Sequence, residues 1–165
     1  MRNVIFIGMP GCGKTTVINL IKEKYAKQVW DTDEYIVNLH GNISDIFANY
    51  GEEYFRKLET EAVREICKKD DVFISTGGGC VMRDENVRIF KDSGKIIYLK
   101  AEKETLLKRL EGDNSRPLLA GNKAERLTAL FNKRASVYEN VADIVINTDG
   151  LTPKEVVEKI FDKLN

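Results

Sequence analysis

Short runs of β-branched and other apolar residues alternate along this chain with stretches whose apolar positions recur every three or four residues. The runs predict five strands, at residues 3–7, 28–32, 72–76, 95–100 and 143–148. Helical spacing between them is seen at Val17, Leu20, Ile21, Phe55, Leu58, Ala62 and Ile66. Strands and helices that alternate in this way favour an α/β fold, with a mostly parallel sheet and helices on both faces.

The last predicted helix has the clearest start signal. Thr152 can cap the helix, Pro153 suits its first turn, and Glu155 completes a capping box. The apolar stripe that this helix is expected to bury consists of Val156, Val157, Ile160, Phe161 and Leu164.

The composition is that of one ordinary globular domain. The chain has 165 residues, 42% of them hydrophobic and 32% charged, and no repeat or linker divides it. Its 26 basic and 26 acidic residues cancel, so we expect neither nucleic acid nor a membrane as partner. No apolar run approaches the roughly 18 residues of a membrane span, and no signal peptide is evident, so the expected location is the cytoplasm. Without a coiled-coil pattern, a monomer is expected.

The stretch GMPGCGKTT, at residues 8–16, lies between a predicted strand and a predicted helix. The residues that match the pattern G-x-x-x-x-G-K-[ST] are Gly8, Gly13, Lys14 and Thr15. Backbone N–H groups of such a loop and the start of the following helix attract phosphate. Lys14 can reach the β- and γ-phosphates, and the hydroxyl of Thr15 can ligate Mg²⁺. The pattern therefore predicts a bound nucleoside triphosphate.

Two carboxylates, Asp31 and Asp33, follow the second predicted strand. Alternation along a strand would place both on one side, near the edge where open α/β sheets bind ligands. One carboxylate could then hold Mg²⁺ through water, while the other accepts a hydrogen bond from a substrate hydroxyl and takes its proton. A polar turn is the alternative interpretation of the same pair.

Two arginines and a run of glycines suggest an acceptor that carries a carboxylate. Arg56 and Glu59 are one helical turn apart, so the glutamate can orient the guanidinium, although a surface ion pair has the same spacing. Arg134, one turn before Tyr138, supplies a second guanidinium, and such groups bind carboxylates through two parallel hydrogen bonds. Close approach of a ligand to the backbone is permitted at Gly77, Gly78 and Gly79.

The least regular stretch is EGDNSRPLLAGN, at residues 111–122. Its Gly, Asn, Asp and Pro content is typical of a surface loop. The alternative is a mobile lid that carries Arg116 over the bound substrates.

Taken in order, the stretches GMPGCGKTT, DTD, FRKLE, TGGG, SRPLL and RASVY resemble the shikimate kinase family over essentially the whole chain. The resemblance implies the fold of the nucleoside monophosphate kinases, a three-layer α/β/α arrangement with a five-stranded parallel sheet. It implies one P-loop kinase domain over residues 1–165, with a substrate-binding helical segment at about 34–62 and a mobile lid at about 111–122. The implied reaction passes the γ-phosphoryl of ATP to the 3-hydroxyl of shikimate, on the route to chorismate and the aromatic amino acids.

The same resemblance implies roles for individual residues. The ATP phosphates would be bound by Gly11, Cys12, Gly13, Lys14, Thr15 and Thr16. Arg116 would close over the phosphates, and Arg109 and the segment near Pro153 would flank the adenine. Mg²⁺ would be held by Thr15 and, through water, by Asp31. The shikimate-binding residues would be Asp33, Arg56, Gly77, Gly78, Gly79 and Arg134, with Glu59 holding Arg56. The implied catalytic residues are Asp33 as base, and Lys14 and Arg116 as stabilisers of the transition-state charge.

Two other classes of protein share parts of this pattern. Another small-molecule P-loop kinase, acting on gluconate or a nucleoside monophosphate, would have the same phosphate-binding loop but would not require the remaining motifs. A nucleotide-dependent switch would need a guanine-reading signal such as N-K-x-D, which the chain lacks.

Overall fold

The computed structural model describes residues 2–111 and 122–165. Within these ranges the strands are β1 (Asn3–Ile7), β2 (Val29–Asp31), β3 (Phe73–Ser75), β4 (Gly94–Lys100) and β5 (Ile144–Asn147). The helices are α1 (Lys14–Tyr25), α2 (Thr32–His40), α3 (Ile43–Tyr50), α4 (Glu52–Ile66), α5 (Asp84–Ser93), α6 (Lys103–Glu111), α7 (Lys123–Val141) and α8 (Pro153–Leu164). A short 3₁₀ turn covers Cys80–Met82. Each predicted strand is therefore confirmed, within two residues at its ends.

The strands form one parallel sheet in the order β2-β3-β1-β4-β5. The chain leaves β1 toward one edge of the sheet and later crosses from β3 past β1 toward the other edge. Because crossovers between parallel strands are right-handed, opposite directions place their helices on opposite faces. Accordingly α1 packs with α8, whereas α4 packs with α5. The predicted three-layer α/β/α arrangement with a five-stranded parallel sheet is confirmed.

The change of direction at β1 determines where a ligand can bind. In open parallel sheets, a crevice forms beyond the carboxyl ends of the strands where neighbouring connections diverge to opposite faces. The loop after β1 and the loop after β3 flank that point, since these two strands are neighbours. The glycine-rich stretches at 8–16 and 77–79 therefore meet at one crevice.

The second strand corrects one prediction about the aspartates. Asp33 does not continue a strand beside Asp31, because β2 ends at Asp31 and α2 begins at Thr32. Asp31 is the N-cap of that helix, and its Oδ1 accepts a hydrogen bond from the backbone N–H of Glu34 at 2.9 Å. An aspartate that can cap a helix favours helix over a longer strand at this point. Asp33 therefore lies in the first turn of α2.

The predicted capping box of α8 is confirmed. The backbone N–H of Glu155 donates to Thr152 Oγ1 at 3.2 Å, and the backbone N–H of Thr152 donates to Glu155 Oε1 at 3.1 Å. Of the predicted stripe, the fully buried residues are Val156, Val157 and Ile160, and the half-buried ones are Phe161 and Leu164.

The core has two parts. The larger part packs against the sheet and includes four of the five buried residues of β1, Val4 to Ile7. A smaller apolar cluster joins α2, α3 and α4 and consists of Ile36, Ile46, Phe55, Leu58 and Ala62. These three helices therefore have an apolar contact set of their own beside the crevice. No helix among the described residues is both long enough and apolar enough to span a membrane.

A buried asparagine ties the start of β1 to the loop before β3. Asn3 is 2% exposed, its Oδ1 accepts from the Val72 N–H at 3.0 Å, and its Nδ2 donates to the Lys69 carbonyl at 2.8 Å. We expect Asn3→Ala to lower the free energy of unfolding by about 1–3 kcal/mol, because the buried N–H of Val72 loses its acceptor. Denaturant unfolding measures the change.

Asn19→Ala is the control for this substitution, because Asn19 is exposed on α1. Its effect is expected to stay within about 0.5 kcal/mol. Equal stability of the two variants would contradict a structural role for the Asn3 side chain.

Candidate active site

A cleft of about 1010 Å³ opens at the carboxyl ends of the strands. It is lined by the loop after β1, by the glycine run and by residues of α2, α3, α4 and α7. Residues of α6 and α8 close one end. This is the crevice that the strand order predicts, and its volume is at the upper end of the range for small-molecule sites.

The loop between β1 and α1 has the geometry of a phosphate cradle. Gly11 and Gly13 adopt φ angles of 85° and 90°, in the left-handed region that favours glycine. Lys14 begins α1, and its Nζ donates to the Gly8 carbonyl at 3.0 Å. The helix N-terminus thus adjoins the cleft, where its unpaired N–H groups favour an anion.

Three further residues, Cys12 in the loop and two threonines in the first turn of α1, were predicted to contact phosphate. Thr15 and Thr16 are exposed, and both line the cleft. The Cys12 side chain is only 2% exposed and packs in the core. Its backbone rather than its thiol is therefore the part that a phosphate can reach.

Arg109 is the predicted adenine neighbour on α6. Its Nη1 donates to the Gly11 carbonyl at 2.8 Å, which links α6 to the phosphate loop. The apolar residues that line the same end of the cleft are Leu106, Leu110, Leu151, Pro153 and Val156. Such a lining suits a flat, weakly polar ring. Arg116 and the predicted lid at 111–122 lie outside the described residues, except for the two end positions of that segment.

The glycine run lies directly against three charged side chains. A Cβ built on Gly77 would lie 2.9 Å from Asp33 Oδ1. A Cβ on Gly78 would lie 2.7 Å from Arg134 Nη1, and a Cβ on Gly79 would lie 2.7 Å from Arg56 Nη2. Distances below 3 Å are too short for a methyl group, so a side chain at any of these positions would displace the charged group beside it. The structure therefore brings together the acceptor residues that the sequence predicted.

The ion pair between Arg56 and Glu59 is not a surface pair. Arg56 Nη1 and Glu59 Oε1 are 2.9 Å apart, and the Glu59 side chain is only 1% exposed. Burial raises the pKa of Glu59, and the Arg56 guanidinium partly offsets this by lowering it. Burial lowers the pKa of Arg56, but the carboxylates of Glu59 and Glu52 outweigh burial and raise it. The pair holds a charged guanidinium at the rim of the cleft.

Asp33 lies among charges of both signs. Burial raises the pKa of Asp33, and the neighbouring carboxylate of Asp31 raises it further. The cations of Lys14 and Arg56 act in the opposite direction, and the net result is a raised pKa. A carboxylate with a raised pKa is a stronger base when it is ionised.

Arg134 and Tyr138 lie one turn apart on α7. Arg134 lines the cleft beside Gly78. Tyr138 is fully buried, and its hydroxyl donates a hydrogen bond to the Gly78 carbonyl at 2.5 Å. Sequence reasoning used Tyr138 only to recognise a motif and did not assign it a contact.

Sequence reasoning missed two other contributors to the site. Thr32 is fully buried, and its Oγ1 accepts from the Gly77 N–H at 3.2 Å, which holds the start of the glycine run against α2. Phe47 and Phe55 form an apolar wall of the cleft, with ring centroids 4.9 Å apart. One indication of the role of Thr32 was available from the sequence, which is its position between the two aspartates of DTD.

The donor set fits a magnesium ion that keeps most of its water. Thr15 is exposed, and both Thr15 and Asp31 line the cleft. Because Asp31 Oδ1 accepts from Glu34, its second oxygen is the one available to a metal-bound water. Within the described ranges, no group of three or more His, Cys, Asp or Glu residues could enclose a metal. Mg²⁺ is characteristically held by one or two protein oxygens together with substrate phosphates.

These features define the class of protein. A parallel sheet carries a phosphate cradle after its first strand, and a pocket lined by a carboxylate and two guanidiniums faces that cradle. A fold and a site of this kind are those of a P-loop kinase with the nucleoside monophosphate kinase-like architecture.

Comparison with known sequences identifies the family. The family model described as shikimate kinase matches residues 10–165. A shikimate kinase of Caldicellulosiruptor bescii is 43% identical over 163 residues, which are 98% of this chain and 94% of that protein. One of Persephonella marina is 39% identical over 99% of both chains. The chain belongs to the shikimate kinase family and is an ATP-dependent kinase.

Solved structures agree with this assignment. The shikimate kinase of Acinetobacter baumannii in complex with shikimate has a TM-score of 0.90 and 31% identity, and the match covers 99% of this chain and 93% of that one. The shikimate kinase of Aquifex aeolicus has a TM-score of 0.81 and 32% identity, with coverage of 98% and 95%.

Proposed function

We propose that this protein transfers the γ-phosphoryl group of ATP to the 3-hydroxyl of shikimate, giving shikimate 3-phosphate and ADP. The observation that carries the proposal is the contact of Gly77, Gly78 and Gly79 with one carboxylate and two guanidiniums, opposite the phosphate cradle. An acceptor with a carboxylate and ring hydroxyls complements those groups. Membership of the family and the likeness to a shikimate-bound relative support the proposal. The product would continue toward chorismate and the aromatic amino acids.

The donor half of the cleft would bind ATP. The proposed phosphate contacts are Gly11, Cys12, Gly13, Lys14, Thr15 and Thr16. Arg109 and the apolar end of the cleft would enclose the adenine. Lys14 would stabilise the negative charge that spreads over the transferred group, since phosphoryl transfer depends mainly on positioning and electrostatics. Arg116, predicted from sequence to assist, remains part of the proposal.

The acceptor half would hold shikimate by its carboxylate. Arg56 and Arg134 would bind the carboxylate oxygens, and Glu59 keeps Arg56 directed to the cleft. The ring would lie over the backbone of the glycine run, with Phe47 and Phe55 against its apolar part. The α2–α4 segment, about 34–62, would therefore be the substrate-binding part of the single domain over residues 1–165.

Asp33 would carry out the proton transfer. Its carboxylate would accept the proton of the 3-hydroxyl while that oxygen forms its bond to the γ-phosphorus and the β–γ bridging oxygen leaves with ADP. Mg²⁺ would be held by Thr15 and, through water, by Asp31. When bound, the ion would neutralise part of the phosphate charge. The proposal also includes a lid at about 111–122. The protein would act as a monomer in the cytoplasm, with neither nucleic acid nor a membrane as partner.

The test is a coupled assay of ADP release with shikimate, gluconate and AMP as separate acceptors. We expect shikimate alone to stimulate ADP release. Gluconate and AMP are the acceptors of the other small-molecule P-loop kinases considered. The proposal would be overturned if one of them stimulated ADP release and shikimate did not. Nucleotide hydrolysis that no acceptor stimulates would favour a nucleotide-dependent switch.

The raised pKa of Asp33 predicts a pH dependence. The active form of the base is the ionised one, so kcat/KM for shikimate should fall as the pH drops through the pKa of Asp33. Because burial raises that pKa, the fall should begin above the ordinary aspartate value of 3.8. A rate profile between about pH 4 and pH 9 measures it. Samples returned to neutral pH should recover full activity, and a flat profile would contradict the assignment of the base.

A further inference from the structure

Tyr138 connects the two parts of the acceptor pocket that come from distant regions of the chain. Its ring is fully buried and lies 5.1 Å from the ring of Tyr98, measured between centroids. Its hydroxyl donates to the Gly78 carbonyl at 2.5 Å, although the two residues are 60 positions apart in sequence. The Arg134 guanidinium lies near the same hydroxyl and lowers its pKa against the larger effect of burial.

The hydrogen-bonding capacity of a phenol matches these two partners. A tyrosine hydroxyl donates one hydrogen bond and has lone pairs that accept others, whereas a guanidinium only donates. Tyr138 therefore donates its one proton to Gly78, and its lone pairs attract the nearby cation of Arg134. Burial raises the pKa of Tyr138, so the hydroxyl keeps the proton that it donates. If the hydroxyl is removed, Gly78 loses this hydrogen bond and Arg134 loses a polar neighbour.

The contacts around Gly78 are close. A Cβ built on this glycine would lie 2.7 Å from Arg134 Nη1 and 3.6 Å from the Tyr138 hydroxyl. On the other side of the turn, the Gly77 N–H donates to Thr32 Oγ1 at 3.2 Å. The glycine run is therefore held from α2 at its start and from α7 at its middle. The α7 anchor lies beside the Arg134 guanidinium, and both are next to Gly78.

We propose that Tyr138 is a positioning residue, whose hydroxyl sets the distance between Arg134 and the backbone of Gly78 and thereby the fit of the carboxylate-bearing acceptor. The inference rests on the proposed function, because it concerns the same pocket. Tyr138 does not line the cleft, so it acts through its two partners. Its loss should weaken binding of the acceptor and leave binding of the nucleotide unchanged.

The test compares Tyr138→Phe with Tyr98→Phe. Both substitutions remove one hydroxyl from one of two neighbouring buried rings, so they differ chiefly in the hydrogen bond to Gly78 and the proximity to Arg134. We expect Tyr138→Phe to raise the KM for shikimate by about tenfold, with the KM for ATP changed by less than about twofold. Tyr98→Phe should change either KM by less than about twofold. These ratios remain measurable if part of a variant preparation is unfolded, because KM does not depend on the amount of active enzyme.

A second comparison uses Arg134→Ala as the background. If Tyr138 acts through Arg134, adding Tyr138→Phe should raise the KM for shikimate less in this background than in the unmodified chain. Equal increases in the two backgrounds, or equal effects of Tyr138→Phe on both substrates, would overturn the inference. So would a Tyr138→Phe variant that matches Tyr98→Phe. An unmodified protein that does not phosphorylate shikimate would instead overturn the proposed function, and the inference with it.

Discussion

Asp33→Asn should lower kcat by at least about 100-fold, the usual contribution of a positioned base. The amide has nearly the shape of the carboxylate, so it should fit in the space beside Gly77. In that space Asp33 Oδ1 lies 2.9 Å from where a Cβ on Gly77 would be. It cannot take a proton from the acceptor hydroxyl at neutral pH. The KM for ATP should change little, because the phosphate cradle is formed by the loop after β1. Steady-state kinetics with each substrate varied in turn measure both effects.

The control for this variant is Glu34→Gln, which neutralises an exposed carboxylate on the neighbouring residue of α2. Its kcat should remain within about twofold of the unmodified protein, as for a surface substitution away from the site. The pH profile gives a second readout, since Asp33→Asn should abolish the fall of kcat/KM at low pH. Near-full activity of Asp33→Asn would remove the role of this residue as base.

Arg56→Ala should raise the KM for shikimate by about 100-fold, with a much smaller change in kcat. The substitution removes a group that can form two charge-assisted hydrogen bonds with a carboxylate, and each such bond contributes about 1.5–3 kcal/mol. It also leaves Glu59, which is 1% exposed, without its partner at 2.9 Å. Glu59 would then bind a proton more readily, because burial already raises its pKa. Steady-state kinetics separate the KM effect from any loss of folded protein.

Arg64→Ala is the matched control, because Arg64 is also on α4 but its side chain is 51% exposed and pairs with Glu85. Its effect on the KM for shikimate should be negligible. Arg56→Lys keeps a positive charge for Glu59 but cannot form the two parallel hydrogen bonds, so its KM should lie between those of the unmodified protein and Arg56→Ala. An unchanged KM in Arg56→Ala would mean that Arg56 serves only the ion pair.

The sequence predicted correctly those features that depend on residues close together along the chain. The period of apolar positions predicted the five strands, because a strand or an amphipathic helix must bury one side whatever surrounds it. The phosphate loop was predicted for a similar reason, since its glycines, lysine and helix start are contiguous between β1 and α1. Thr152 and Glu155 predicted a capping box because both partners lie within four residues.

The DTD stretch shows where local prediction failed. Asp31 and Asp33 were expected on one side of a strand, but a strand and a capped helix compete for the same residues. Here the Asp31 cap and the packing of α2 against α4 together favour the helix. The resemblance to the family nevertheless selected two residues that both line the cleft. It did so because a family motif identifies residues by their place in the sequence, whether or not the secondary structure around them is predicted correctly.

The sequence by itself determined the α/β order, the phosphate cradle and the set of charged residues available for an acceptor. Only the tertiary structure determined that Gly77, Gly78 and Gly79 each face a different one of those charges, and that Tyr138 contacts Gly78 across 60 positions of sequence. The physical reason is that these contacts join elements that the sheet order brings together. Periodicity and caps act over a few residues, whereas the pairing of a glycine with a distant guanidinium depends on how α4 and α7 pack around the end of β3.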